Sequence, residues 1–236
     1  MKIDKNSNIY IIIYIIVLVV IVGTALAFCS MGLKPLQQAN VDAHKMKEIL
    51  ASVRIVPEKE MIEEDFEKYI TEMYVVDCEG NRIKGEDAFT VDVAAQSKLS
   101  AEERMLPVYV ACMSDGSTKY ILPAYGVGLW GPIWGYVSLD SNGSTIYGAY
   151  FSHQGETPGL GAEIAKPGFS SQFEGKNLFI DDEFYPVEVV KKGLKPQGDS
   201  DYVDGVSGGT ITSKGVGAML DNCLKPYENF LKKLNE

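Results

Sequence analysis

The sequence predicts an α+β protein, in which an N-terminal transmembrane helix precedes one domain with a mainly antiparallel twisted sheet and flanking helices. Three observations lead to this prediction: an uncharged apolar run near the N-terminus, short apolar segments separated by turn residues, and a helical pattern at the C-terminus. The 236 residues are 46% hydrophobic, which is enough for a core that needs no disulfide. We therefore expect a single anchored domain of ordinary size.

The first element is the apolar run over residues 9–29, which contains no charged residue. A run of about 21 residues is long enough to cross the roughly 30 Å hydrocarbon core of a bilayer as a helix. A cleaved signal peptide is the alternative, because Ala25, Leu26 and Ala27 fit a small-x-small cleavage site, although secretory apolar runs usually span only about 7–15 residues. The length favours a retained transmembrane helix.

Two helical patterns follow the membrane segment. Residues 30–55 are expected to form a juxtamembrane helix and linker, since apolar residues recur at helical spacing over 37–51. We place the start of the domain at residue 56. Within the domain, residues 60–73 form an amphipathic pattern with apolar residues on one face and acidic residues on the other, which predicts a second helix.

Short apolar runs between Gly, Asp and Ser predict the strands of the sheet. These runs occupy residues 89–91, 107–111, 119–123, 133–139, 145–151 and 185–190. Residues 140–144 join two of them and contain an Asn-Gly pair, which is typical of a hairpin turn. Residues 217–234 then predict a C-terminal helix that is interrupted near Pro226.

The composition argues against several classes of function. A net charge of −10 disfavours nucleic-acid binding, which relies on Lys and Arg to neutralise phosphates. The chain has two histidines and four widely spaced cysteines without a Cys-x-x-Cys pair, so we predict no metal site. A disulfide between Cys78 and Cys112 is left open. We expect the chemistry to come from an organic cofactor.

The most informative segment covers residues 204–213, which hold four hydroxyls and three glycines. Glycines allow successive backbone N–H groups to converge on an anion, and Thr210 and Thr212 place oxygens beside that concavity. The spacing matches neither a Walker loop nor a dinucleotide-binding fingerprint. From its composition alone, the segment is most simply interpreted as a surface turn.

Two further segments combine glycine with residues suited to a pocket. Residues 125–135 contain Trp130, a candidate wall for a flat ring, and Trp134, a candidate core residue. Residues 153–163 form a second glycine-rich loop that places two carboxylates near a histidine. No nucleophile or metal cluster in the loop completes a hydrolytic site, so we do not predict hydrolysis.

Three motifs resemble those of a known family. The pattern Asp-x-x-Ser-Gly-x-Thr, which begins at Asp204, resembles the flavinylation motif of FMN-binding domains in ion-translocating respiratory complexes, with Gly209 where that motif usually has Ala. Gly-Leu-Trp-Gly-Pro-x-Trp-Gly from Gly128 and His-x-Gly-Glu-Thr-Pro-Gly-Leu-Gly from His153 extend the likeness. With the single N-terminal span and the order of motifs, nearly the whole chain resembles the C subunits of the Na⁺-translocating NADH:quinone oxidoreductases.

The resemblance implies one FMN, attached covalently to Thr210 through a phosphoester. The cofactor-binding residues predicted on this basis are Ser207, Gly208, Gly209, Thr212, Glu156, Thr157, Gly159, Leu160, Gly161 and Trp130. The N–H groups of Gly208 and Gly209 and a helix that starts near Thr212 suit the charge of a phosphoester. A separate flavin transferase is implied to move FMN from FAD onto the threonine, and Asp204 and Ser207 belong to the sequence it recognises.

The resemblance also implies an electron-relay subunit, with NADH oxidised, quinone reduced and sodium carried by other subunits of the complex. Lysines flank both ends of the span, so the charge bias gives no orientation. The resemblance implies a cytoplasmic N-terminus over residues 1–8, a single pass through the inner membrane and its lipid, and an extracytoplasmic FMN-binding domain over residues 56–236. A G-type subunit of an Rnf complex, which shares two of the motifs, and a non-redox anchored binding protein are the alternatives.

Overall fold

A computed structural model describes residues 7–196 and 198–234 of the chain. The chain divides into two compact units, Met1–Lys45 and Met46–Glu236. Most of the first unit belongs to a 45-residue helix, α1 (Asn8–Ser52), which continues past Pro35 into the second unit. Its apolar portion has a mean hydropathy of 3.1 and is not buried against protein, and it is the one helix of the described residues that is long and apolar enough to cross a membrane.

The remaining elements all belong to the second unit. The helices are α2 (Ile62–Tyr69), α3 (Val93–Gln96), α4 (Pro167–Ser170), α5 (Thr210–Leu224) and α6 (Glu228–Leu234). The strands are β1 (Ile70–Val76), β2 (Arg82–Ile83), β3 (Leu106–Cys112), β4 (Thr118–Val127), β5 (Pro132–Asp140), β6 (Ile146–His153), β7 (Phe179–Ile180), β8 (Glu183–Phe184), β9 (Glu188–Val190) and β10 (Tyr202–Asp204).

A six-stranded sheet with the order β2-β1-β3-β4-β5-β6 forms the centre of this unit. Each neighbouring pair within it is antiparallel, which confirms the predicted fold class. Alternate residues of a strand point to opposite faces. In β3, Val108 belongs to a core that α5 and α6 complete, whereas Tyr109 belongs to a core on the other face.

The second core also explains where the compact unit begins. The last turns of α1 bury Ile49 and Leu50, and Val53 follows them into the same core. The unit therefore starts at Met46, earlier than the boundary at residue 56 that we placed from the sequence. The apolar residues at helical spacing near the end of α1 are thus the ones that pack in this core.

Three local predictions are wrong. The helix predicted over 60–73 ends at Tyr69, because residues 70–76 pair with β3 and this tertiary pairing overrides the helical pattern. Residues 89–91 form a turn, in which the Asp87 carboxylate accepts a hydrogen bond from the Phe89 N–H at 2.9 Å. The strand predicted over 185–190 is limited to β9.

The C-terminal helix begins earlier than the sequence predicts. α5 starts at Thr210, and the predicted interruption near Pro226 is present as one turn of 3₁₀-helix between α5 and α6. Gly215 lies inside α5, where a Cβ atom would collide with the backbone carbonyl of Val127. Glycine at this position allows α5 to pack closely against β4, so it marks a contact between elements and not the end of a helix.

Candidate functional site

The loop between β10 and α5 contains the predicted acceptor threonine and is fixed at both ends. β10 pairs in parallel with β9, and directly after it the Gly205 N–H donates to the carbonyl of Val190 at 2.6 Å. At the other end, the Ser213 hydroxyl accepts from the Val206 N–H at 2.9 Å. Gly208 has a φ of +76°, and a Cβ atom there would lie 2.6 Å from Leu160. The loop conformation therefore requires glycine at this point.

The two threonines of the loop occupy different environments. Thr210 is the first residue of α5 and is exposed. Thr212 is only 1% exposed, and its hydroxyl donates a hydrogen bond of 2.6 Å to Oε2 of Glu156. Of the two threonines, only Thr210 is therefore both exposed and at the helix N-terminus, where backbone N–H groups favour an anion.

Glu156 connects three segments that surround this N-terminus. The residue is 4% exposed, and its Oε1 atom accepts a hydrogen bond of 2.8 Å from the Trp130 N–H while Oε2 accepts from Thr212. A Cβ atom on Gly128 or Gly161 would collide with the same carboxylate. Both oxygens of the Glu156 carboxylate therefore bind protein groups. The residue also lines the cavity described next.

A cavity of about 360 Å³ lies between the loop, the start of α5 and the segment around Trp130. Its walls are formed by Leu129, Trp130, Glu156, Thr157, Leu160, Gly161, Gly208, Gly209, Thr210, Ile211 and Thr212. Most of the predicted cofactor-binding residues thus meet in one place. Ser207, Asp204 and Gly159 lie outside these walls. We call this cavity the apolar slot.

Large apolar side chains are exposed around the apolar slot. Trp130 is 68% exposed and Ile211 is 57% exposed, and Leu129 and Leu160 are also well exposed. The sequence reasoning missed Leu129 and Ile211. Leu129 precedes Trp130 and Ile211 follows Thr210, both of which the sequence indicated. The sequence alone does not show that the side chains of these two neighbours are exposed. Exposed apolar clusters of this kind mark binding surfaces.

The residues present fit an FMN group. Ligand pockets usually measure about 300–1,000 Å³, with mostly apolar walls and a few placed polar groups, and the apolar slot meets this description. Trp130 and Leu160 suit the face of a flat ring. The exposed Thr210 hydroxyl at the N-terminus of α5 suits a phosphate.

Two more cavities adjoin the same loop. One, of about 300 Å³, is lined by Lys191, Lys192 and Lys214 together with Ser207 and Thr210. The other, of about 350 Å³, includes both residues of the predicted transferase-recognition pair, Asp204 and Ser207. The backbone of Asp204 is fixed by Gln172, which accepts from its N–H at 2.9 Å and donates to its carbonyl at 3.2 Å.

Other candidates from the sequence have structural roles. The Trp134 indole donates to both oxygens of Glu48 at 3.0 Å and packs against the second core. The Nδ1 atom of His153 accepts from the Glu156 N–H at 3.2 Å and so shapes the loop. All four cysteines are free, and the residues that the structure describes contain no cluster of three metal-ligating side chains.

Comparisons with known proteins match the part of the chain that contains this site. The family model of the FMN-binding domain matches residues 128–225. The chain is 35% identical to the C subunit of the Na⁺-translocating NADH-quinone reductase from Vibrio vulnificus strain YJ016, over 84% of this chain and 81% of that protein. The corresponding protein of Vibrio alginolyticus is 34% identical, over 92% of this chain and 90% of that protein.

Two crystal structures share the fold. That of the Na⁺-translocating NADH-quinone reductase C subunit from Parabacteroides distasonis ATCC 8503 superimposes with a TM-score of 0.78 and 49% identity, covering 84% of this chain and 96% of that one. That of NqrC from Shewanella oneidensis gives a TM-score of 0.69 and 25% identity, covering 83% of this chain and 98% of that one. Both likenesses extend over most of the present chain.

Proposed function

Since this chain belongs to the family of C subunits of the Na⁺-translocating NADH-quinone reductase, we propose that it carries one FMN attached covalently to Thr210 and relays electrons within the membrane complex. The observation that supports the attachment most directly is the contrast between the two threonines. The Thr210 hydroxyl is exposed at the apolar slot, whereas the Thr212 hydroxyl is buried and donates to Glu156. Of the two threonines, Thr210 is thus the one that a flavin donor can reach.

Bound FMN supplies the redox chemistry, because its ring accepts and releases electrons. The residues of the chain hold and shape its environment. A phosphoester at Thr210 would prevent loss of the cofactor, and the N-terminus of α5 would stabilise its negative charge. Trp130 and Leu160 would lie against the ring, while Glu156 holds the Trp130 segment against α5.

Membership of the family supports a proposal on partners and location. C subunits belong to a multi-subunit complex, so other subunits of that complex are the electron donor and acceptor of this chain. The relatives favour this complex over an Rnf complex, because the proteins that match most of the chain are C subunits. We further propose that a flavin transferase recognises Asp204 and Ser207, and that α1 anchors the domain on the periplasmic side of the inner membrane.

Covalent flavin is tested by co-expression of the full chain with a flavin transferase, followed by denaturing electrophoresis under ultraviolet light. We expect a fluorescent band for the wild-type chain and for Thr210→Ser, and none for Thr210→Ala. Thr212→Val removes the nearest competing hydroxyl at almost constant volume, so this matched control should keep the band. A band in Thr210→Ala, or none in the wild type, would rule out the proposed tether.

A further inference from the structure

Three lysines meet beside the acceptor threonine, although Lys214 is far in the sequence from the adjacent pair Lys191 and Lys192. Lys191 and Lys192 follow β9 directly, and Lys214 lies one helical turn after Thr210 on α5. Residues one turn apart share a face of a helix, so Lys214 and Thr210 line the same opening. With Ser207, Gly208 and Thr210 these lysines line the cavity of about 300 Å³, which we call the lysine cleft.

The side-chain charges of these lysines are not paired with other described residues. All three are exposed, and none forms an ion pair or a side-chain hydrogen bond with the residues that the structure describes. Other lysines do form ion pairs, as Lys119 does with Asp140 at 2.7 Å. The chain as a whole has a net charge of −10, so three unpaired cations around one small opening are a local exception. Their positive charge is free to meet an anion.

We propose that the lysine cleft binds the diphosphate group of FAD while the flavin is transferred to Thr210. This inference rests on the covalent attachment proposed above and adds a second phosphate-binding element outside the motif that contains Thr210. The N-terminus of α5 suits the phosphate that Thr210 attacks, and the second phosphate of a dinucleotide brings further negative charge beside it. Lysine ammonium groups form charge-assisted hydrogen bonds with phosphate oxygens, so the cleft can hold the second phosphate.

The step that this arrangement serves is a phosphoryl transfer without any change of oxidation state. The Oγ atom of Thr210 forms a bond to the phosphorus on the riboflavin side of FAD, and the bond from that phosphorus to the bridging oxygen breaks. AMP leaves with the bridging oxygen, and the hydroxyl proton of Thr210 passes to a base of the flavin transferase. The lysines of the cleft act by stabilising the negative charge that builds up on the departing phosphate.

The first test measures the initial rate of flavin attachment to the full chain in detergent, with flavin transferase, FAD and Mg²⁺. The variant replaces Lys191, Lys192 and Lys214 together by Gln. Exposed ion pairs are individually weak, so we expect the rate at limiting FAD to fall about tenfold for the triple change. The triple Arg variant should keep most of the rate, and added salt should slow the wild type more than the Gln variant.

The matched control replaces three exposed lysines that do not line the cleft, Lys84, Lys98 and Lys225, by Gln. It changes the net charge equally, so we expect a rate close to that of the wild type. A loss of rate equal to that of the cleft variant would overturn the proposal, because the effect would then reflect total charge. Recovery of the cleft variant at high transferase concentration would also overturn it, since the lysines would then dock the enzyme and not the donor.

A second test does not depend on flavin attachment. The wild-type chain is acetylated at low reagent concentration with and without inorganic pyrophosphate, and the modified lysines are quantified by mass spectrometry. We expect pyrophosphate to slow acetylation of Lys191, Lys192 and Lys214 relative to Lys84, Lys98 and Lys225, and riboflavin to have no such effect. Equal modification of both sets would overturn the proposal.

The outcomes separate this inference from the proposed tether. If the wild-type chain never acquires covalent flavin, the tether fails while the pyrophosphate test still reports on the cleft. If the Gln variant acquires flavin at the wild-type rate, the tether stands and the role of the cleft in transfer fails. In that case a changed fluorescence anisotropy of the attached flavin in the Gln variant would indicate that the lysines contact the phosphoester after transfer.

Discussion

Glu156 shows how one buried side chain can fix the geometry of a site through hydrogen bonds to other protein groups. Its carboxylate is buried and accepts hydrogen bonds from the Trp130 backbone and the Thr212 hydroxyl, at 2.8 and 2.6 Å. These contacts connect the Trp130 segment to the start of α5. The position of Trp130 relative to Thr210 therefore depends on the hydrogen bonds of Glu156.

Removal of that carboxylate should loosen the site. Glu156→Ala leaves the Trp130 N–H and the buried Thr212 hydroxyl without an acceptor, and an unsatisfied buried group costs about 1–3 kcal/mol. For a domain of this size, each kcal/mol corresponds to about 2–4 °C in melting temperature. We expect the full chain in detergent to melt several degrees lower, as followed by circular dichroism. Glu156→Gln keeps an oxygen acceptor and should lose less, and the exposed Glu102→Ala should not change the melting temperature.

At the scale of elements, the loop after β6 packs against α5 through glycine. Gly161 approaches both the Glu156 carboxylate and the Thr212 hydroxyl so closely that a Cβ atom would collide with each. Gly209, at the start of α5, would likewise meet the Gly161 backbone at 3.2 Å. These glycines allow the two segments to touch and so close one wall of the apolar slot.

Two glycines of one loop provide a matched pair for testing this contact. Gly161→Ala forces the loop away from α5, and overpacking of this kind typically costs about 1–3 kcal/mol. Gly155→Ala adds the same methyl group where nothing lies within 4 Å. We expect Gly161→Ala to lower both the melting temperature and the yield of covalent flavin, and Gly155→Ala to change neither. Equal behaviour of the two variants would mean that the contact does not form.

The sequence predicts elements well where the signal is local. The Asn-Gly turn predicts the β5–β6 hairpin, and Pro226 predicts the break before α6. The strand over Ile70–Val76 was hidden by a helical pattern, because its conformation depends on pairing with β3. The site shows the same limit. Thr210 follows from a motif, but the lysine cleft unites residues from β9 and α5 that only the fold brings together.

At the scale of the whole molecule, burial of ionisable groups sets the alkaline limit of stability. Burial raises the pKa of the phenols of Tyr109, Tyr136 and Tyr227 and of the Cys223 thiol above their ordinary values of 10.0 and 9.0. A group whose pKa is raised in the folded state contributes its full stability at pH values below its pKa in the unfolded chain. That contribution is lost as the pH rises through its pKa in the folded chain.

The melting temperature should therefore be nearly constant around neutral pH and decline above about pH 9. Each buried group that ionises only in the unfolded chain costs about 1.4 kcal/mol per pH unit. Cys223→Ser removes the thiol and should move the onset of the decline toward pH 10. Thermal unfolding of the full chain measured from pH 7 to 11 checks both expectations. An unchanged onset in Cys223→Ser would show that the thiol does not contribute.

The side of the membrane on which the domain lies can be read with an existing cysteine. Cys112 is exposed at the end of β3, and Cys223 is buried. In a chain with Cys29→Ser and Cys78→Ser, we expect a membrane-impermeant maleimide to label Cys112 in intact spheroplasts. The further change Cys112→Ser should abolish the label. Labelling that appears only after lysis would place the domain in the cytoplasm.

The loop over residues 205–209, between β10 and α5, is hydrogen-bonded both to β9 and to α5. A segment held in this way cannot shift without breaking a strand pairing or unwinding a helix turn. If FMN is attached to Thr210 as proposed, the dipoles of this loop would have little freedom to rearrange when the ring gains or loses an electron. Such stiffness would keep the reorganisation energy of electron transfer small, so the anchoring of one short loop would also favour fast transfer.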